Sequence, residues 1–110
     1  MRMKVLVTGA TGYVGGRLVP KLLDQGYSVR VLAREPHRLD GVPWHDDVEI
    51  IQGDLQVRAD VARAVSAVDV VYYLVHSMSS AGDFEVVERQ VATLVAEEAK
   101  SAQVKRIVYL

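Results

Sequence analysis

Residues 7–16 read VTGATGYVGG, and four of the ten are glycines. They follow directly on the apolar run Val5-Leu6-Val7. Glycine loses more conformational freedom on folding than any other residue, so this stretch is poor material for a strand or a helix interior. The chain must turn sharply after its first strand, and the glycine spacing decides what the turn can serve.

The rest of the chain alternates short apolar runs with helix-like ones. Val14, Leu18 and Leu22 recur every four residues until Gly26, which predicts a first helix. Pro20 lies inside it and should weaken or kink it, because proline lacks the N–H that the ladder needs. SVRVLA at 28–33 reads as a second strand and Val48 to Ile51 as a third, after a loop with Pro36, Gly41 and Pro43. Val57 to Ala67 is a modest helix. Asp69 to Val75 is a nearly continuous apolar strand, as expected where both sheet faces are covered. From Asp83 to Gln103 the stripe Phe84, Val87, Val91, Leu94 and Val95 predicts a long helix. RIVYL at 106–110 is a fifth strand, and a chain that stops there looks cut.

The order is β-α-β-β-α-β-α-β, with crossovers long enough for parallel pairing. Right-handed crossovers then give a single α/β domain over 1–110, a doubly wound parallel sheet of five strands in the order 3-2-1-4-5. In such a sheet a ligand lies beyond the carboxyl ends of the strands, at the switch between strands 1 and 4. The glycine run leaves strand 1 at that point.

The run has the form G-x-x-G-x-x-G at Gly9, Gly12 and Gly15, one residue longer than the dinucleotide spacing G-x-G-x-x-G. Gly9 can supply the turn, Gly12 leaves room for a pyrophosphate, and Gly15 allows the helix to approach the sheet. The N–H groups from about Gly12 to Val14, Tyr13 included, form an anion site with the helix dipole behind them. The Thr11 hydroxyl can cap the helix or touch a phosphate. A plain strand-to-helix turn is the competing reading, but the setting inside a βαβ unit favours a nucleotide. No Gly-Lys-Ser/Thr follows, so the loop is not a P-loop.

TGATGYVG resembles the cofactor loop of the short-chain dehydrogenase/reductase superfamily, in its extended and atypical branches. VYYLVHSM at 71–78 and VKRIVYL at 104–110 are similar to atypical members described as NAD(P)H-binding or epimerase/dehydratase-like. The resemblance covers the whole chain and implies the N-terminal, Rossmann-type cofactor half of a longer protein. The end of strand 2 bears on the dinucleotide. It offers Ala33-Arg34 where an NAD site usually has a carboxylate, so Arg34, with Arg38 a turn later, points to the 2′-phosphate of NADP. Glu35 could still supply the carboxylate for NAD, and both arginines could be ordinary solvated charges. In the family an Asp-Leu pair after strand 3 borders the adenine, which here falls on Asp54 and Leu55; Asp54 could equally cap the next helix. Leu74, Val75 and His76, at the end of strand 4, are assigned to the cofactor by the same topology.

Chemistry is harder to place. The resemblance implies a Tyr-x-x-x-Lys pair, but no tyrosine in these 110 residues has lysine four positions on. His76 and Ser77 are the nearby candidates, His76 as a general acid/base, although the more frequent role of this loop is backbone contact with the cofactor. The expectation is therefore a domain that holds NADP(H) for hydride transfer on a small-molecule substrate in the parent protein, itself inactive. A non-catalytic NADP(H) redox sensor is the alternative. A net charge of −1 gives no reason to expect nucleic acid or an anionic membrane. The absence of cysteine and of a long apolar run is read as a soluble, cytoplasmic protein. His37 and His45 lack metal-ligand spacing, and Trp44 reads as packing. An exposed apolar fifth strand predicts a homo-oligomer formed through that edge.

Overall fold

The computed structural model describes residues 2–10, 12–74 and 83–110, with side chains of the last stretch described from residue 86. Strands β1 (Lys4–Thr8), β2 (Ser28–Ala33), β3 (Glu49–Gln52), β4 (Val70–Tyr73) and β5 (Arg106–Tyr109) alternate with helices α1 (Tyr13–Asp24), α2 (Arg58–Val65) and α3 (Asp83–Ser101). Two short 3₁₀ turns, Pro36–Leu39 and His45–Asp47, fill the link between β2 and β3. All strand pairs are parallel and the order is β3-β2-β1-β4-β5, as the sequence predicts.

The two-residue period of the strands divides the core into two layers. Val5, Val7, Val29, Val31 and Ala33 face one side, where Val19 and Leu22 of α1 cover them together with Leu39 and Trp44. Leu6, Leu32, Val71 and Tyr73 face the other, against Val61, Ala64 and Val65 of α2 and Val95 of α3. Apolar side chains on both faces explain why β1, β2 and β4 read as near-continuous apolar runs. Buried Trp44 packs, as expected.

Several details differ from the sequence expectation. The third strand begins and ends one residue later, and the second and third helices stop two residues short. In α1 the buried residues are Gly15, Val19 and Leu22, whereas Val14 is 53% exposed. The helix is rotated because its glycine, not its first valine, meets the β1 exit. It runs through Pro20 to Asp24; one lost rung is tolerated where Val19 and Leu22 clamp the helix to the sheet. In α3, Val95 and Ala99 are buried and Val91, Ala92 and Leu94 pack beside them, while Val86 and Val87 stay exposed. The contact of α3 thus runs partly through alanines, which a search for bulky residues overlooks. Among the described residues no helix is long and apolar enough to cross a membrane.

One buried charge ties the α2 layer to the sheet. Arg30, only 7% exposed, donates through Nε to Glu49 Oε1 at 2.9 Å. Its Nη1 donates to the carbonyls of Ala64 at 2.7 Å, Ser66 at 2.8 Å and Arg63 at 3.4 Å. These are the orphan carbonyls at the end of α2, so a β2 side chain caps a helix from across the layer. At the same end of the sheet, Asp69 accepts the Lys4 N–H at 2.8 Å and returns its own N–H to the Lys4 carbonyl at 2.8 Å.

Arg30→Ala should cost about 3 kcal/mol, because it strands three helix-end carbonyls and leaves the Glu49 carboxylate to Lys4 and solvent. Urea denaturation checks this; a change within about 0.5 kcal/mol would show the cap to be dispensable. The hydrogen bond from Arg30, with help from Lys4, holds the Glu49 carboxyl below the ordinary carboxylate range against a partial desolvation that opposes it. A depressed folded pKa contributes stability above the unfolded value, and that stability is lost as pH falls through the folded one. Between about pH 7 and about pH 3 the wild type should therefore lose more melting temperature than Glu49→Gln.

Candidate functional site: the carboxyl edge of the sheet

At the end of β1 the backbone turns through Gly9, whose φ is +76°, a region that L side chains rarely adopt. The Gly9 carbonyl accepts the Gly12 N–H at 3.0 Å, and Gly12 is the N-cap of α1 without a side-chain cap bond. This corrects one expectation: the Gly12 N–H, expected among the free donors, is spent inside the turn. Among the described residues the Tyr13 and Val14 N–H groups have no acceptor, as the first turn of a helix dictates. The first turn of α1 contains no acidic side chain, so no carboxylate competes there with an incoming anion. Tyr13 is exposed, with the Arg17 guanidinium 4.6 Å from its ring centroid.

Gly15 holds the helix against this turn. A Cβ there would stand 2.3 Å from the Gly9 carbonyl oxygen and 2.8 Å from Ala10 Cα, both backbone atoms that cannot yield cheaply. Beside it, buried Thr8 accepts the Leu74 N–H on Oγ1 at 3.1 Å and donates to the Tyr72 carbonyl at 3.4 Å. Thr8 thus couples the exits of β1 and β4 at the switch point, a role the sequence reading missed. Leu74 is half-buried in this junction. Thr11, Val75, His76 and Ser77 lie outside the described residues.

The exits of β2 and β3 complete the edge. Thr8 is in register with Leu32, the Gly53 N–H donates to the Ala33 carbonyl at 3.0 Å, and Gln52 Nε2 reaches the Arg34 carbonyl at 3.5 Å. The glycine turn, Arg34 and Asp54 therefore share one side of the sheet. Arg34 is exposed and makes no ion pair among the described residues. Arg38 is placed differently from the expectation of a second open cation: its Nε pairs with Glu35 Oε2 at 2.8 Å. Glu35, the alternative acid, is accordingly not presented alone.

Asp54 sits in the turn before α2. Its Oδ1 accepts the Gln56 N–H at 2.8 Å and its carbonyl accepts the Val57 N–H at 3.0 Å, while the N-cap of α2 is Val57. Asp54 therefore stabilises the turn rather than capping the helix, and its Oδ2 has no partner among the described residues. Leu55 is half-buried against the α2 layer. Asp60, in the first turn of α2, accepts the Asp54 N–H on Oδ2 at 2.9 Å and pairs through Oδ1 with Arg63 Nη2 at 2.5 Å. That backbone N–H, then Arg63, lowers the Asp60 pKa. A separate groove of about 320 Å³ is lined by α2 and α3 residues alone, among them Arg58, Val86 and Leu94. None of the glycine-turn residues contributes to it. No cluster of three or more His, Asp or Glu suited to a metal ion occurs among the described residues.

At the exits of β1, β2 and β3 the edge offers the first turn of α1, exposed Arg34 and a carboxylate oxygen of Asp54, groups of the kind that recognise a nucleotide. Comparisons with known proteins agree. The family model described as NAD(P)H-binding matches residues 9–110. The (4-alkanoyl-5-oxo-2,5-dihydrofuran-3-yl)methyl phosphate reductase of Streptomyces griseus is 39% identical over 96% of this chain and 33% of its own length. The 3β-hydroxysteroid dehydrogenase/Δ5→4-isomerase of Mycobacterium tuberculosis is 41% identical over 64% of this chain and 18% of its own. A short-chain dehydrogenase/reductase superfamily protein from Agrobacterium tumefaciens, solved with bound NAD, superposes with a TM-score of 0.79 at 28% identity, covering 96% of this chain and 31% of that one. The chain spans a third or less of the length of these proteins. With its five parallel strands in the order 3-2-1-4-5 and its glycine turn at the switch point, the chain belongs to the NAD(P)H-binding family of short-chain dehydrogenase/reductase-like proteins.

Proposed function

We propose that this chain holds NADP(H) for a hydride-transfer reaction of an oxidoreductase on a small-molecule carbonyl or alcohol. The observation that carries the reading is the α1 N-terminus, free of acidic side chains and pressed by Gly15 onto the β1 exit, with Arg34, unpaired among the described residues, at the neighbouring β2 exit. Gly9, Gly12 and Gly15 shape the turn, and the N–H groups of Tyr13 and Val14, with Thr11, receive the pyrophosphate. Arg34 takes the 2′-phosphate as a fork of donors. Arg38 contributes by keeping Glu35 neutralised rather than by a phosphate contact of its own. Asp54 Oδ2 accepts from the adenine amino group, and Leu55 offers an apolar border to the ring. Leu74 at the β4 exit, with Val75 and His76 that follow it in the sequence, is assigned to the nicotinamide half, with His76 the candidate for proton transfer. The dinucleotide, when bound, supplies the hydride donor or acceptor. The reductase and dehydrogenase names of the relatives support this reaction class.

The strand order leaves β5 at one edge of the sheet, where Tyr109 is 57% and Leu110 56% exposed. We infer that two copies of this chain associate along that edge, since unpaired backbone groups flanked by apolar side chains favour strand addition.

Titration with NADPH and NADH should show tighter binding of NADPH, and Arg34→Ala should weaken NADPH about tenfold while leaving NADH little changed. Absent NADPH binding, or indifference to Arg34, would overturn the cofactor assignment. Sedimentation should find a dimer at high protein concentration, shifted to monomer by Tyr109→Lys; a wild-type monomer at every concentration would remove the edge association.

A further inference from the structure

The β3–α2 turn holds an arrangement that cofactor contact alone does not explain. Gly53 is packed so closely that a Cβ there would lie 2.9 Å from Asp60 Cβ and 3.0 Å from Leu32 Cδ1. The Asp54 N–H is held at 2.9 Å by Asp60 Oδ2. The other Asp60 oxygen is occupied by Arg63, whose Nη2 also reaches back to the Gln52 carbonyl at 3.4 Å. One carboxylate therefore spans the turn, and its partner arginine returns to the strand that feeds it. Meanwhile Asp54 Oδ1 is fixed by the Gln56 N–H, so the direction of the remaining oxygen, Oδ2, follows the backbone of residues 53–56.

We propose that Asp60 is a positioning residue for base recognition: by gripping the Asp54 N–H it orients Asp54 Oδ2 toward the amino group of an adenine. The inference rests on the dinucleotide reading above. It assigns Asp60 no contact with the ligand. Asp60 acts through the backbone of Asp54, and the close packing of Gly53 leaves the turn little freedom to find another partner. A charge-assisted bond to a backbone N–H is among the stronger single hydrogen bonds available.

The test compares NADPH with its deamino analogue, in which hypoxanthine replaces adenine and the amino group is missing. The wild-type chain should bind NADPH about tenfold more tightly than the analogue. Asp60→Ala should weaken NADPH by a similar factor and bring the ratio of the two affinities close to one. Asp60→Asn, whose amide oxygen can still accept the Asp54 N–H, should restore most of the ratio. Asp60→Ser, too short to reach that N–H, gives the same reading as Asp60→Ala should the latter fail to fold by circular dichroism. A purely structural role would lower the melting temperature and weaken both ligands alike, so a ratio unchanged in Asp60→Ala or Asp60→Ser overturns the proposal. A wild type that binds both ligands equally also overturns it, while leaving the dinucleotide reading intact. Failure of the wild type to bind either ligand overturns both.

Discussion

The contact between Gly15 and the Gly9 carbonyl sets the position of everything else at the carboxyl edge. With 2.3 Å between that oxygen and any Cβ at position 15, the helix approaches the turn only because no side chain is there. The close approach rotates α1 so that Val19 and Leu22 fall on the sheet, and it leaves Tyr13 and Val14 exposed above the strand ends. One steric fact thus connects the packing of the first layer to the placement of the first turn of α1. A methyl group at Gly15 would separate helix from turn, and the core contacts and the first turn of α1 would move together.

The opposite layer is held by polar means. Arg30 closes the carboxyl end of α2, and Asp60, in its first turn, grips the Asp54 N–H. The two residues fix the same helix at opposite ends. Because α2 follows directly on the turn that carries Asp54, its seating by Arg30 bears on where that turn lies. Buried charges are expensive unless fully paired, and Arg30 satisfies this condition with four acceptors. Thr8 does comparable work between β1 and β4, where a hydroxyl supplies one acceptor and one donor to two neighbouring backbone groups.

Much of this architecture was legible in the residue order. The breaker-rich run after Val5-Leu6-Val7, the SVRVLA strand and the alternation of apolar runs were enough for the strand order, because parallel crossovers leave few topologies open. Helix faces were less legible. Val14 looks like the head of an apolar stripe, but the stripe is displaced by a glycine contact that hydrophobicity does not register. The α3 contact through Ala92 and the buried Ala99 is hidden because small side chains hardly mark an apolar stripe. Polar ties such as Arg30 to the end of α2 join residues 34 and 36 positions apart, and nothing local in SVRVLA announces them. Gly53 and Asp60 were equally silent, since their significance is a distance between them.

The balance of charge at the β2 exit follows from geometry rather than from counting arginines. Arg34, Glu35 and Arg38 read as two cations and one acid within five residues. In the fold the 3₁₀ turn Pro36–Leu39 brings Arg38 back onto Glu35, so this pair is close to neutral and Arg34 carries the remaining charge. An exposed pair of this kind adds little to stability. Its consequence is electrostatic: the Glu35 charge is offset by Arg38, so Arg34 is left as the exposed cation of this short stretch. In the proposed NADP(H) site, selectivity would be a difference between two affinities, and neutralising the acid would shift that difference in the same direction as supplying the arginine.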